Sequence, residues 1–252
     1  MKELLCTKIK ADNSSKADIE AEIYDRISEN VVPLGFSVKS MVGGASTLLN
    51  AGKTTNFIFK VEGLEEKHVE EINKIDTRSK VQDRIKRIEA LGGKLRFKKL
   101  NSLPFESNLK KIDTAFPKFL AEMLIHFFEG KANKISDLTK FLSKNTELFE
   151  KYELSLSDYE FKIKQFLHST ALGMVPSKKW DGFTKAHGGY IVVRADGVVI
   201  CYHLYNRDDF LSYLFENTKF ESASTTRHGY GVLYKQETEI LFNLNLQIRF
   251  LK

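Results

Sequence analysis

At 252 residues the chain has room for one large domain or two small ones, with ample length for a buried core. Hydrophobic residues at 42 % and charged residues at 29 % are the proportions of an ordinary soluble globular protein, not of a fibrous or disordered chain. The 39 Lys and Arg against 33 Asp and Glu leave a net charge of +6, which favours a polyanionic partner, although excess lysine is often only a solvated surface. Cys6 and Cys201 make neither metal-ligand spacing nor a disulfide framework, which points to a reduced, cytoplasmic setting. The apolar run at 116–128 is interrupted by Lys118, Glu122 and His126, so no membrane span is expected. The start of the sequence has no apolar run of the secretory kind.

Alternation of apolar and polar residues marks strands at 4–10, 17–24, 35–40, 56–61 and 94–100. Between the last two, 77–91 has helical spacing through Val81, Ile85, Ile88 and Leu91 and stops at Gly92-Gly93. From 107 to about 169 the chain reads as helical. In its clearest part, "DTAFPKFLAEMLIHFFEG", Asp113 or Thr114 is the expected cap and Gly130 the expected end. The run "GGYIVVRADGVVICYHLY" predicts a hairpin turning at Asp196-Gly197. "NRDDFLSYLFENT" predicts a helix capped by Asn206, with Asp208 and Asp209 in its first turn. Strands at 231–234 and 240–251 close the chain. The order implies one α/β domain with a helical insertion at about 103–170 and a β-rich part at about 188–252.

The stretch "GGASTLLNAGKTTNF" imitates the end of a phosphate-binding loop. That loop needs GxxxxGK[ST], so that successive N–H groups curl around phosphate, and the earlier glycine would fall on Thr47. A polar turn leading into the strand at 56–61 is the better reading.

Chemistry concentrates just upstream. In "SSKADIEAEIYD" the acids Asp18, Glu20 and Glu22 share one strand face, which is either solvated or holds a cation. In "LGFSVKS", Phe36 and Val38 mark the apolar side, and Ser37 and Lys39 face the other way. Antiparallel pairing with Asp18 opposite Lys39 sets Glu20 opposite Ser37 and gathers Asp18, Glu20 and Lys39 into one patch. Two carboxylates can hold Mg²⁺, and an ammonium beside them can serve an attacking water or a phosphate oxygen.

Asp18 followed by Ser37-Val38-Lys39 resembles a variant of the PD-(D/E)xK nuclease motif. The strings "SSKADIEAEI", "GFSVKSMVGGASTLLNAGKTTNF", "GGYIVVRADGVVICYHLYNRDDF", "NTKFESASTTRHGYG" and "LNLQIRF" are similar to the HpaII family of type II restriction endonucleases. The likeness runs from about residue 14 to the end, with the helical middle less distinctive. It implies a restriction-endonuclease-like mixed sheet flanked by helices and Mg²⁺-dependent cleavage of double-stranded DNA at a short palindrome. CCGG is the site associated with the family's namesake, and close relatives need not share it. The resemblance makes Asp18 the principal metal ligand and Lys39 the catalytic lysine. Ala17 replaces the motif's proline and Ser37 its usual second acid, so Glu20, then Glu22, are the candidates for the second ligand. Family members carry more chain ahead of the acidic strand, and only 17 residues precede Asp18 here. The alternative is therefore a shortened nuclease that grips DNA without cutting it. Palindromic cutting normally implies two active sites, hence a homodimer, but no dimer face is identifiable.

Several residues are candidate DNA contacts. Ser37, Ser40, Asn50 and Asn56 lie beside the predicted metal site; either asparagine reads a base edge or caps a turn. Lys94, Arg96 and Lys98 line one strand face and either touch phosphates or are solvated. In "FNLNLQIRF" the row Asn243, Asn245, Gln247 and Arg249 either reads bases or forms the polar outer face of a half-buried strand. In "STTRHGYG" Arg227 suits guanine, and His228 is a contact residue, not a metal ligand.

Overall fold

The computed structural model describes residues 17–251 apart from 28, 146, 204 and 205, and the strand expected at 4–10 lies outside the described residues. In chain order the strands β1 (Ile19–Asp25), β2 (Asn30–Ser40), β3 (Thr47–Leu49) and β4 (Asn56–Glu62) lead to α1 (Val69–Asn73), α2 (Lys80–Ala90) and β5 (Lys94–Leu100). The helical block follows as α3 (Leu103–Ile112), α4 (Phe116–Phe128), α5 (Ile135–Asn145), α6 (Leu148–Lys151) and α7 (Leu156–Leu172). Then come β6 (Gly189–Val193), β7 (Val199–His203), α8 (Arg207–Glu216), β8 (Thr218–Phe220), α9 (Thr225–His228), β9 (Leu233–Gln236), β10 (Glu239–Asn245) and β11 (Ile248–Phe250). The result is the mixed α/β, restriction-endonuclease-like arrangement expected, with the helices inserted between strands.

The strands divide among three sheets. A mixed sheet runs β1-β2-β6-β7, with β2 and β6 parallel; an antiparallel sheet runs β5-β4-β10-β9; a small one runs β3-β11-β8. Central strands β4 and β10 carry near-continuous apolar runs because both their faces are covered: Phe57, Phe59, Leu241, Phe242 and Leu244 are fully buried. The stretch expected as one strand at 240–251 is two. After Asn245 the chain leaves β4, Leu246 N donates to Thr55 O, and β11 enters the small sheet.

Helix α4 is the centre of the core, burying Phe116, Phe119, Leu120, Met123 and Leu124, with Phe119 against Tyr159 at 4.7 Å. No helix among the described residues is long and apolar enough to cross a membrane. Gly130, at φ +80°, ends α4 as expected. The cap differs: Ala115 is the N-cap, and the Asp113 carboxylate accepts from Ala115 N and from Lys162. Asn206 stands at the N-cap of α8 without a side-chain capping bond. The three-residue strands and α1 escape a periodicity reading because none completes enough of a repeat.

His168 on α7 is half-buried against Phe210, beside Tyr202 and Arg207. Burial, then the Arg207 charge, lowers its pKa from 6.5 to about 4. The folded state therefore binds fewer protons than the unfolded chain between those values. This contribution to stability is fully present above the unfolded value and lost as pH falls towards the folded one. Thermal melts from pH 7 to 4 should show a smaller decline for His168→Gln than for the wild type; equal declines would contradict the burial.

Candidate active site

Strand β2 builds the site by turning its polar side inward. Ser37 is 2 % exposed, and its parallel-strand neighbour Tyr190 is fully buried, as is Val192 beside Lys39. The Tyr190 ring lies 4.8 Å from Phe210 and 6.4 Å from Phe250, so this face of the mixed sheet is the one covered by the rest of the domain. Phe36 and Val38, expected to mark the core side, are only half-buried, and Ile19 and Val32 on the same side are exposed. Burial of the Tyr190 ring on β6 against Phe210 and Phe250 decides which side is covered, and β2 alone could not show it.

The register also differs from the expected one. Ile19 faces Phe36 and Glu20 faces Gly35, not Ser37, a slip of two residues that preserves side-chain parity. Just ahead of the strand, Asp18 N donates to Phe36 O at 2.7 Å. The Asp18 carboxylate then turns onto β2: its Oδ2 accepts from Val38 N at 2.7 Å and from Ser37 Oγ at 3.2 Å. Its Oδ1 makes no hydrogen bond among the described residues. Glu20 and Glu22 are exposed, the latter opposite Pro33, and neither lines the cavity that Asp18 enters.

That cavity, about 350 Å³, brings Asp18, Ser37 and Lys39 together with Asn50 and Thr54. Half-buried Lys39 makes no ion pair among the described residues. Ser40, at the exposed end of β2, instead receives Val42 N and Ser46 Oγ. The facing wall comes from the end of α7 and the turn after it, Thr170 and Val175 to Ser177. The fully buried Asn108 of α3 holds that turn, donating to Val175 O and Lys178 O and accepting from Trp180 N; Ser102 Oγ donates to Pro176 O. Sequence reasoning missed this wall; an asparagine inside an apolar helical pattern was the available signal.

Among the described residues no three His, Cys, Asp or Glu side chains form a ready metal cluster. Asp18 is the one carboxylate lining the cavity among the described residues. This donor set still fits Mg²⁺, which is commonly held by one or two carboxylates while keeping several waters and a substrate phosphate. The free Oδ1 is the available ligand atom.

The HpaII restriction endonuclease model matches residues 1–250. The type II restriction enzyme HpaII of Haemophilus parainfluenzae is 42 % identical over 251 residues, covering 100 % of this chain and 69 % of that enzyme. The chain belongs to the HpaII restriction endonuclease family. No solved structure matches it.

The remaining candidate residues in this family member divide into exposed and interior groups. Lys94 and Arg96 are exposed on edge strand β5; Arg96 lies 3.6 Å from Glu62, and Lys98 pairs with Glu239. Arg227 is exposed and its guanidinium has no partner among the described residues, while His228 is half-buried. The row expected in "FNLNLQIRF" does not exist as one face, because the chain changes sheet within it. Asn245 is 2 % exposed and Asn56 3 %, and their amides are engaged inside the fold. Arg249 is paired with Glu221 at 2.7 Å and donates to Ala45 O. Only Gln247, half-buried between β10 and β11, keeps a side chain with no such engagement among the described residues. The sequence fragment "GKTT" forms a 3₁₀ turn in which Gly52 N donates to Thr55 Oγ1, so this amide is satisfied internally.

Gly35 is where β1, β2 and the chain before β6 approach most closely. A Cβ there would lie 2.9 Å from Ala17 Cβ and 3.1 Å from Lys185 O. Gly35→Ala should lower stability by about 1–3 kcal/mol in denaturant unfolding, because the strand holding Asp18 must move. A change within ~0.3 kcal/mol would show that the approach is looser than described.

Proposed function

We propose that this chain is a Mg²⁺-dependent type II restriction endonuclease that hydrolyses phosphodiester bonds of double-stranded DNA at a short palindrome. The observation that carries this reading is the shared cavity of Asp18 and Lys39, in a chain of a restriction-endonuclease family. Ser37 and Val38 N fix the Asp18 carboxylate so that Oδ1 points to a ligand. A divalent ion held there supplies positive charge to the phosphate and acidifies a water. Lys39, without an ion pair among the described residues, is available to orient the nucleophilic water or to neutralise a non-bridging phosphate oxygen. Asn50 and Thr54 offer polar contacts to the same phosphodiester. Arg227, Lys94 and Arg96 present cations to the duplex, the first suited to guanine and the others to backbone phosphates.

A palindromic target calls for two copies acting together, one per strand. The exposed thiol of Cys201 suits a reducing cytoplasm. CCGG is the first target to try.

One observation favours a second reading, a chain that grips DNA without cutting it: among the described residues a single carboxylate lines the cavity. Linear phage DNA incubated with Mg²⁺ should give discrete fragments. Asp18→Ala and Lys39→Ala should each lower the rate at least ~100-fold while retaining a gel shift in Ca²⁺. Full activity in either variant would overturn the assignment, and a shift without cleavage by the wild type would establish the binding-only reading.

Chelation provides a separate check. Excess EDTA should abolish cleavage, and added Mg²⁺ should restore it; cleavage persisting in EDTA would remove the metal from the mechanism.

A further inference from the structure

The cavity wall at 50–54 and the loop bearing Arg227 and His228 are far apart in sequence, yet one chain of interior amides joins them. Asn245 Nδ2 reaches Gly52 O at 2.8 Å, Thr55 Oγ1 at 3.1 Å and Asn56 Oδ1 at 2.6 Å. Asn56 passes the connection on: its Nδ2 donates to His228 O at 2.9 Å and Gly229 O at 3.3 Å. Leu246 N also donates to Thr55 O, and Asn101 Nδ2 to Lys53 O, so the wall turn is held from several sides. The loop is pinned at its other end by buried Arg84, whose guanidinium donates to Gly231 O as well as to Asn73 O and Ile75 O.

Two features separate this arrangement from ordinary core filling. The outer bonds of the chain run to main-chain carbonyls of surface turns, one of which lines the Asp18–Lys39 cavity and the other of which presents an arginine with no partner among the described residues. Asn245 Oδ1 has no partner among the described residues, so this amide serves the fold through its donors, at the cost of a buried acceptor left unpaired.

We infer that Asn56 and Asn245 are positioning residues that fix the offset between the cleavage cavity and the Arg227 loop, so that a base contact made by the loop delivers one defined phosphodiester to Asp18 and Lys39. The inference rests on the nuclease reading. Its physical content is rigidity: the loop's main chain can shift only if buried hydrogen bonds break. A base contact on a loosely held loop would add affinity without governing the chemical step.

The test compares wild type, Asn56→Asp and Arg227→Ala on a duplex carrying the cleaved site and on one with a single base pair changed. Asn56→Asp keeps the acceptor facing Asn245 and removes both donors to the loop. Arg227→Ala alters an exposed side chain with no partner among the described residues, so folding is not at stake. Both should lower the ratio of kcat/KM between the two duplexes at least ~10-fold. In Asn56→Asp the loss should fall on kcat for the true site, with KM changed less than ~3-fold, and cut ends should become heterogeneous. A merely structural role predicts activity falling with the folded fraction at an unchanged ratio, and that result overturns the inference. If Asn56→Asp does not fold, an unchanged ratio in Arg227→Ala overturns it equally. No cleavage by the wild type defeats the nuclease reading, and this inference with it.

Discussion

The site depends on one constraint: β2 must carry a polar row on the side covered by the domain. A buried hydroxyl needs a hydrogen-bond partner, and Ser37 finds it in the Asp18 carboxylate, which also receives Val38 N. That pair of donors holds a strand-end acid in one orientation with one oxygen free. Lys39, two residues on, shares the side and the cavity and makes no ion pair among the described residues. The placement is maintained on the same face, where Phe210 and Phe250 pack against Tyr190 of the neighbouring strand. Those packed rings supply the burial that makes the polar row's geometry unique.

Around this centre, two surface turns of the cavity wall and the loop that bears Arg227 are held by side chains from the interior. Asn108 fixes the turn after α7, Asn245 the turn before β4, and Asn56 with Arg84 the loop after β8. Each is a nearly or fully buried polar group that donates to at least one main-chain carbonyl of the turn it holds. Turns secured in this way gain rigidity without regular secondary structure. Their outward side chains, Asn50, Thr54, Ser177 and Arg227, remain free to meet a ligand. The scaffold thus separates two duties within "NAGKTTN" and "STTRHG": main chain to the fold, selected side chains outward, to the cavity in the first and to the surface in the second.

How far this was legible in the sequence follows the kind of signal. Long periodic segments were plain: α2 with Val81, Ile85 and Ile88, α4 ending at Gly130, and the hairpin at Asp196-Gly197, where Gly197 takes φ +83°. The family resemblance was carried by contiguous strings and agrees with the comparisons. One assumed register gathered Asp18, Glu20 and Lys39; the observed pairing slips by two residues, keeps the parity that leaves Asp18 and Lys39 in one cavity, and carries Glu20 out to face Gly35. The covered side of β2 was misjudged because Phe36 and Val38 outweigh Ser37 and Lys39 locally, whereas the Tyr190 ring on β6, some 150 residues away, decides burial. Asn245 and Asn56 illustrate a second limit: an amide in an alternating strand looks the same whether it meets solvent, DNA or another buried amide.

The most direct measurement is anomalous diffraction from crystals of the protein with a duplex and Mn²⁺ in place of Mg²⁺. The account predicts an ion within coordination distance, about 2–2.5 Å, of Asp18 Oδ1, and Lys39 Nζ beside a phosphate oxygen of the duplex. An ion bound at Glu20 or Glu22 with Asp18 uninvolved, or DNA lying away from the Asp18–Lys39 cavity, would contradict it.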